Sequence, residues 1–339
     1  MIASITTKTQ WDLFLKQVDS YDFYHTYDYH ELCAKPDEHP ILITYTSKDT
    51  LIGLPFLLRD IPDTSFKDMT SVYGYVGPIL KTLDKNFDHL LFAKDFNTYL
   101  KDQNIISVFS RLNPFVDNQF DILQSIGEIK RVGQVVNINL NSSLEIQRQN
   151  YQRRIKTQIN KARRFCKVSN ASTKEEMSEF IKIYYENMDR VQANNSYYFD
   201  TDYFFRFLDS DTLDTSLLLV KLIDTNEIIA GAMFIKTNNI VQYHLSGSKE
   251  GYLDIAPVKL LIDEMRIRAT EEGGYNYFNL GGGYGSQNDS LLRFKLSFSK
   301  QVHKFCIWKH IVDTEIYNEL SYNSEETEKD YFPRYRSSN

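Results

Sequence analysis

Three cysteines in 339 residues, Cys33, Cys166 and Cys306, fall in no repeated spacing. So few, odd in number and scattered, they supply neither a disulfide framework nor a Cys/His zinc site, and they suit a reducing cytoplasm. The opening stretch MIASITTKTQWDLF lacks a basic segment followed by an apolar one, so no signal peptide is expected. No apolar run approaches the roughly 20 residues that span a bilayer, which leaves only peripheral membrane association open. Positive charge is in deficit, with 39 Lys and Arg against 45 Asp and Glu and a formal net charge of -6. A broad nucleic-acid coat is thereby disfavoured, because a phosphate backbone needs a net basic face.

Chemical signatures are missing too. No serine or cysteine stands in a nucleophile elbow, no His–Asp partner pattern is visible, and no metal-ligand spacing occurs. The glycine-rich run Gly281-Gly-Gly-Tyr-Gly has amides that could cradle a phosphate. It is neither a Walker loop nor a dinucleotide fingerprint, because no Lys-Ser/Thr comes after it and the GxGxxG spacing is absent.

What is present is ordinary globular material with an aromatic surplus: 42% hydrophobic, 25% charged and 14% aromatic, with 23 Tyr and 22 Phe. Large aromatics suit α/β cores and clefts that clamp a substrate; the codon usage of an AT-rich genome would produce the same excess. The length fits two domains. In the first half the spacing predicts a helix over 11–18, a hairpin of strands at 40–45 and 51–58, a strand running into a Gly/Pro turn at 71–78, a helix over 87–103, and strands at 105–111 and 134–140. A helix capped by Ser143 then carries Arg148, Arg153, Arg154, Lys156, Lys161, Arg163, Arg164 and Lys167 with no acid among them. In the second half the pattern predicts helices over 173–187 and 202–208, and strands at 216–223, 227–236 and 240–246. Next come a helix over 256–272 with Pro257 near its start, a strand at 275–280, a short segment at 291–297 and a strand at 302–308. The expected domains are 1–142 and 143–322, with a polar, poorly ordered tail at 323–339.

Several motifs succeed one another in a fixed order. They are the basic helix Tyr151-Gln-Arg-Arg-Ile-Lys-Thr-Gln-Ile-Asn-Lys-Ala-Arg-Arg, then Tyr243-His-Leu-Ser-Gly-Ser, a helix from Pro257 to Arg268, Phe278-Asn-Leu-Gly-Gly-Gly, and Asp289-Ser-Leu-Leu-Arg-Phe-Lys-Leu-Ser-Phe. Tyr73-Gly-Tyr-Val-Gly-Pro and Phe109-Ser-Arg-Leu-Asn-Pro precede them. Taken together over roughly residues 20 to 320, the set resembles the Fem-type peptidyltransferases of peptidoglycan-bridge synthesis and their GNAT-like acyltransferase relatives. The resemblance implies an α/β fold of two tandem GNAT-like domains, with mixed sheets flanked by helices; a single generic α/β sandwich is the alternative. It also implies acyl or aminoacyl transfer onto an amine of a cell-envelope precursor, a peptidoglycan stem peptide or a polysaccharide amino sugar on a UDP- or lipid-linked carrier. The donor would be aminoacyl-tRNA or an acyl-CoA, with no tightly bound cofactor and a cytoplasmic location. Two features depart from the family: there is no room for the long helical hairpin some members carry, and Asn113 stands where some relatives have an acid. The GNAT pyrophosphate loop (Gln/Arg-x-x-Gly-x-Gly/Ala) is also missing, which favours another donor over acetyl-CoA.

Acyl transfer to an amine passes through a tetrahedral oxyanion, and a cation held in a dry cleft stabilises it. Lys295, directly after Phe294, has that role by resemblance; a surface lysine whose stem covers Phe298 is the competing account. Asp289 would orient the attacking amine or cap the next helix. Arg293 would clamp a phosphate or carboxylate, or pair with Asp289. Arg190 matches an anchoring position of the family, or is a solvated loop arginine. Strand alternation puts Tyr243 and His244 on opposite faces; Tyr243 would position the acceptor, and His244 would line the cleft or act as a base, or be a hydrogen-bonded core histidine. In the basic helix, Ile155, Ile159, Ala162 and Cys166 form an apolar stripe. Arg153, Arg154 and Lys161 then face solvent or a polyanion: a tRNA acceptor arm, a nucleotide-sugar diphosphate or a lipid diphosphate. Without a nucleophile, direct transfer in a ternary complex is the economical mechanism. A catalytically silent module binding a nucleotide or glycan is the alternative function.

Overall fold

The computed structural model describes residues 1–48, 50–322 and 331–337. The chain divides into two compact units, Met1–Val132 with Lys304–Asn339, and Gly133–His303.

The elements run in chain order as β1 (Ile2–Ile5), α1 (Lys8–Leu15), α2 (Tyr27–Cys33), β2 (Glu38–Ser47), β3 (Thr50–Asp60), β4 (Lys67–Thr70) and β5 (Ile79–Lys81). Then come α3 (His89–Asp102), β6 (Ile105–Arg111), α4 (Gln119–Leu123), β7 (Glu128–Asn139), α5 (Leu144–Gln149), α6 (Arg153–Phe165), β8 (Cys166–Asn170), α7 (Lys174–Arg190) and α8 (Thr201–Leu208). The last are β9 (Asp214–Leu222), β10 (Ile228–Thr237), β11 (Ile240–Ser248), α9 (Pro257–Glu272), β12 (Tyr277–Gly281), α10 (Ser290–Leu296), β13 (Gln301–Ile311) and α11 (Thr314–Leu320).

In the first unit β1, β2, β3 and β4 pair antiparallel in that order. β4 then pairs parallel with β6, and β6 antiparallel with β13. Phe92, Phe96 and Leu100, spaced one helical turn apart on α3, bury their side chains against this sheet with Phe56 and Trp308. The division differs from a cut after residue 142. The chain returns to the first unit at 304 because Trp308, fully buried, completes that unit's core and donates its indole N–H to the Ile126 carbonyl at 2.6 Å.

The motif at 71–78, expected as a strand running into a Gly/Pro turn, has the turn but not the strand, which is the shorter β4 just before it. Gln119 holds the turn by donating to the Val76 and Pro78 carbonyls (2.8 and 3.0 Å) and accepting from Asn113 N–H at 2.8 Å. Gly74 must be glycine, since its φ is 125° and a Cβ there would lie 2.1 Å from the Tyr24 ring.

In the second unit the strand order is β7, β12, β11, β10, β9, β8, with β12 parallel to β11 and the other pairs antiparallel. The β9–β10–β11 meander, the α9 crossover and the parallel return on β12 match the order the motifs implied. α9 starts at Pro257, after Ala256 in the left-handed region (φ 58°). It buries Leu261, Met265 and Ala269 in one core cluster with Ile155, Ile159 and Ala162 of α6.

Two expectations are corrected here. The basic helix is not continuous: it breaks between α5 and α6, where Tyr151 turns inward against Phe298 (5.2 Å, edge to face). The tail expected to be poorly ordered has its segment 323–330 outside the described residues, while 331–337 packs on the first unit. There the Tyr335 hydroxyl meets Ser107 Oγ at 2.8 Å and Arg336 Nε reaches the buried carboxylate of Asp68 at 2.5 Å.

Candidate active site

β12 ends in glycines because the backbone leaves no room for side chains. A Cβ on Gly282 would lie 2.7 Å from the Gln134 carbonyl oxygen, and one on Gly283 would lie 2.1 Å from that of Gln287. The turn leads into α10, whose N-cap is Asp289. One carboxylate oxygen accepts from Leu292 N–H at 2.8 Å and the other from Tyr284 N–H at 2.9 Å. Burial alone would raise the Asp289 pKa, but these amides, its own amide and the Lys295 cation outweigh it and hold the carboxyl below its usual range. Of the two roles weighed for Asp289, the geometry shows the cap.

Lys295 lies in the second turn of α10 at 8% exposure. Its Nζ donates to the Gly282 carbonyl at 2.7 Å, the one hydrogen bond it makes among the described residues. An ammonium has three N–H donors, so two are left over. Burial draws its pKa from 10.5 down to about 8, with Asp289 opposing. The surface-lysine account is therefore set aside: the amine is inside, beside a glycine turn, largely desolvated and under-coordinated.

Phe294 is half-buried, edge-on to Phe298 at 5.4 Å, with Lys259 Nζ 6.0 Å above its ring. Tyr243 packs on Phe234 at 5.7 Å in the core cluster that Phe294 also borders. Its hydroxyl bonds Ser246, and burial pushes its pKa up to about 12. His244 points the other way, to α8: Nε2 meets the Tyr203 hydroxyl at 2.9 Å and the ring lies 5.2 Å from Phe207. Burial there pulls its pKa to about 3, so it is a neutral, hydrogen-bonded histidine on the opposite face from Tyr243. Arg190 is exposed in the last turn of α7 with its guanidinium on Asn187. Arg293 is exposed on α10 and, among the described residues, makes no ion pair with Asp289, whose oxygens accept from the Tyr284 and Leu292 amides.

The cations of the basic segment fall into two sets. Arg148 and Arg163 pair with the buried Asp263 of α9 at 3.2 and 3.0 Å, alongside Arg266 at 2.9 Å. Arg153, Arg154 and Lys161 lie exposed on α6 with no ion pair among the described residues. Steps of 100° per residue place these three within an arc of about 100° on the helix, on the side away from Ile155, Ile159 and Ala162.

Sequence reasoning missed Lys259. It sits half-buried in the first turn of α9, donating to Gln158 Oε1 at 2.7 Å, and burial, then the nearby Arg154 charge, lowers its pKa. Only its place two residues after Pro257 marked it. It also passed over Gln242 and Asn279, two buried amides that stand beside the glycine turn. Among the described residues no three His, Cys, Asp or Glu side chains cluster as metal ligands, and no helix is long and apolar enough to cross a membrane.

Residues 210–306 match the family model of the FemAB family. No curated protein matches the chain. Among solved structures, the fold is similar to the crystal structure of FemX, with TM-score 0.70 and 12% identity over 94% of this chain and 99% of that one. It is also similar to a conserved protein of unknown function from Bacteroides thetaiotaomicron VPI-5482, with TM-score 0.60 and 11% identity over 92% and 100% of the two chains. A third is the C-terminal domain of a putative lysylphosphatidylglycerol synthetase from Agrobacterium fabrum, with TM-score 0.56 and 11% identity over 91% and 94%. At such identities the likeness is one of fold.

Proposed function

We propose that this chain, a Fem-type member of the GNAT-like superfamily, transfers an aminoacyl or acyl group directly onto an amine of a cell-envelope precursor. The observation that carries the reading is the Lys295 ammonium, 8% exposed, with one carbonyl partner and two donors unused. An acceptor amine attacks the donor's carbonyl carbon, and the carbonyl oxygen becomes anionic. Two N–H groups already fixed in a desolvated site stabilise that charge without reorganising. Collapse of the intermediate breaks the bond to the carrier, a thiolate for an acyl-CoA or a ribose oxygen for aminoacyl-tRNA. The departing group takes the proton that the attacking nitrogen gives up. No covalent enzyme intermediate is needed.

Arg153, Arg154 and Lys161 would hold a polyanionic carrier, either the tRNA or the diphosphate of a UDP- or lipid-linked sugar, and Lys259 beside Arg154 extends that surface toward Phe294. Tyr243 and Arg293 would position the acceptor. His244 drops out of the site because it faces α8, and Arg190 enters only as an outer contact. The match to the FemAB family favours a peptidoglycan-type precursor as acceptor and a tRNA-borne donor.

The test is transfer of labelled groups from CoA thioesters and from charged tRNA to a panel of muropeptide and amino-sugar acceptors. Lys295→Met is expected to lower turnover on the order of 100-fold while the protein stays folded. Wild-type turnover in that variant would remove the mechanism, and no transfer to any acceptor would remove the activity.

A further inference from the structure

The glycine turn that holds Lys295 is itself held, by two side chains with no chemistry of their own. On β12, Asn279 pairs with Asn137 and Gly281 with Val136, so Leu280 has no partner on β7. Such a bulge releases a backbone amide from the ladder. Here Asn279 Oδ1 accepts from Gly281 N–H at 2.8 Å, and Asn279 Nδ2 donates to Gln242 Oε1 at 2.8 Å. Gln242 is the register partner of Asn279 on β11. The two amides are 0% and 2% exposed, so water does not compete for these bonds. The next residue, Gly282, presents its carbonyl to Lys295 at 2.7 Å. The path has little slack: Gly281 sits at φ 78°, and Gly282 runs against the Gln134 backbone.

We propose that Asn279, oriented by Gln242, is a positioning residue for Lys295: by fixing the Gly281 amide it aims the Gly282 carbonyl, and with it the direction in which the ammonium's two remaining N–H bonds point. The inference rests on Lys295 as the oxyanion-stabilising group. Nothing about Asn279 requires contact with substrate. Its contribution is to keep the turn closed over the amine, dry and in one geometry, so that the donors need not be sought at the moment of transfer.

The experiment reads the lysine directly. In protein labelled with 13C-lysine, the ε-methylene signal of Lys295 is identified by its loss in Lys295→Arg, then titrated in wild type, Asn279→Ala and Gln242→Met. Freeing the Gly281 amide lets the turn open and water reach the amine, and restored solvation outweighs the loss of one carbonyl bond. The midpoint, about 8 in the native protein, is expected to rise by about one pH unit or more in both variants. Turnover is expected to fall about tenfold with KM within about twofold. Gln147→Leu is the control for general loosening, because Gln147 is equally buried but bonds Ser142, Thr270 and Arg266, away from the turn. A Lys295 midpoint that stays at its wild-type value in both variants overturns the proposal, as does an equal rise in the control. Gln242→Met carries the test where Asn279→Ala does not fold. The titration reads positioning whether or not the lysine catalyses, whereas full transfer by Lys295→Met would remove the catalytic reading alone.

Discussion

Burial moves the Lys295 pKa from 10.5 to about 8, so between those values the unfolded chain holds a proton that the folded chain has released. Stability therefore rises with pH through this window, and below pH 8 the folded protein bears the full cost of a desolvated ammonium. Lys295→Met removes that cost. At pH 7 it is expected to be more stable than wild type by on the order of 1–3 kcal/mol, less what the orphaned Gly282 carbonyl takes back. The advantage should shrink as pH rises from 8 toward 10.5; urea unfolding at pH 7 and pH 10 measures it. A variant less stable than wild type at pH 7 would mean that the amine is not under desolvation. The same titration sets the alkaline limb of transfer: the protonated amine is the active form, so turnover should fall above about pH 8. Lys295 was legible as a candidate because a lone lysine sits between Phe294 and Leu296 in a segment that resembles a Fem-type motif. The choice for Asp289 between cap and orienting group was not, because both roles want an acid just before a helix. Alternation did separate Tyr243 from His244, but not which face carried the amine.

At the scale of elements, charge in the sequence and charge on the surface are different quantities. The run from 148 to 167 reads as one basic helix with no acid. In the structure it is two helices, and part of its charge is neutralised by α9, about a hundred residues further on. Asp263, fully buried, collects Arg148, Arg163 and Arg266. Asp263→Ala would leave Arg266, itself 2% exposed, without a counter-charge, and is expected to cost about 3–5 kcal/mol in chemical unfolding. The triple variant Arg153→Ser, Arg154→Ser, Lys161→Ser touches no ion pair, so its melting temperature should match wild type. Its affinity for the polyanionic substrate should fall, and the dependence of log K on log salt should flatten by up to about three units of slope for a nucleic-acid donor. Unaltered affinity and salt slope would leave that face merely solvated. The break at 150–152 was not legible, because Asn150-Tyr151-Gln152 contains neither glycine nor proline; it exists because Tyr151 has a buried place beside Phe298 and Arg266. By contrast the β9–β10–β11 meander and α9 were legible, since their periods and turn residues agree locally with the structure they enter.

On the scale of the molecule, the chain does not write its two units end to end. Residues 133–303 form the second unit, and the first is completed only by the residues from 304 onward. No local pattern announces such a return: the strand at 302–308 reads equally well as the last strand of a second domain, and only long-range packing assigns Trp308 to Phe56 and Phe96. The consequence is a prediction about dissection. A fragment ending at residue 142 lacks Cys306, Trp308 and Val312 from its core cluster and leaves β6 without its β13 partner. Removing a buried tryptophan alone costs about 3–5 kcal/mol, and small domains hold only about 5–15 kcal/mol in total. Such a fragment is expected to lack cooperative unfolding, whereas 1–132 joined to 304–339 through a Gly/Ser linker should regain it. The segment 331–337 adds to the stability of the linked protein, because Arg336 and Arg59 share the buried Asp68 carboxylate and Tyr335 reaches it at 3.2 Å. Arg336→Ala leaves Asp68 half-compensated, and should lower the midpoint of the linked protein while the core of β-strands and α3 stays assembled. Circular dichroism with thermal melts of the three proteins decides the matter, and a fragment 1–142 that melts cooperatively near the full-length midpoint would show that the returning strand is dispensable.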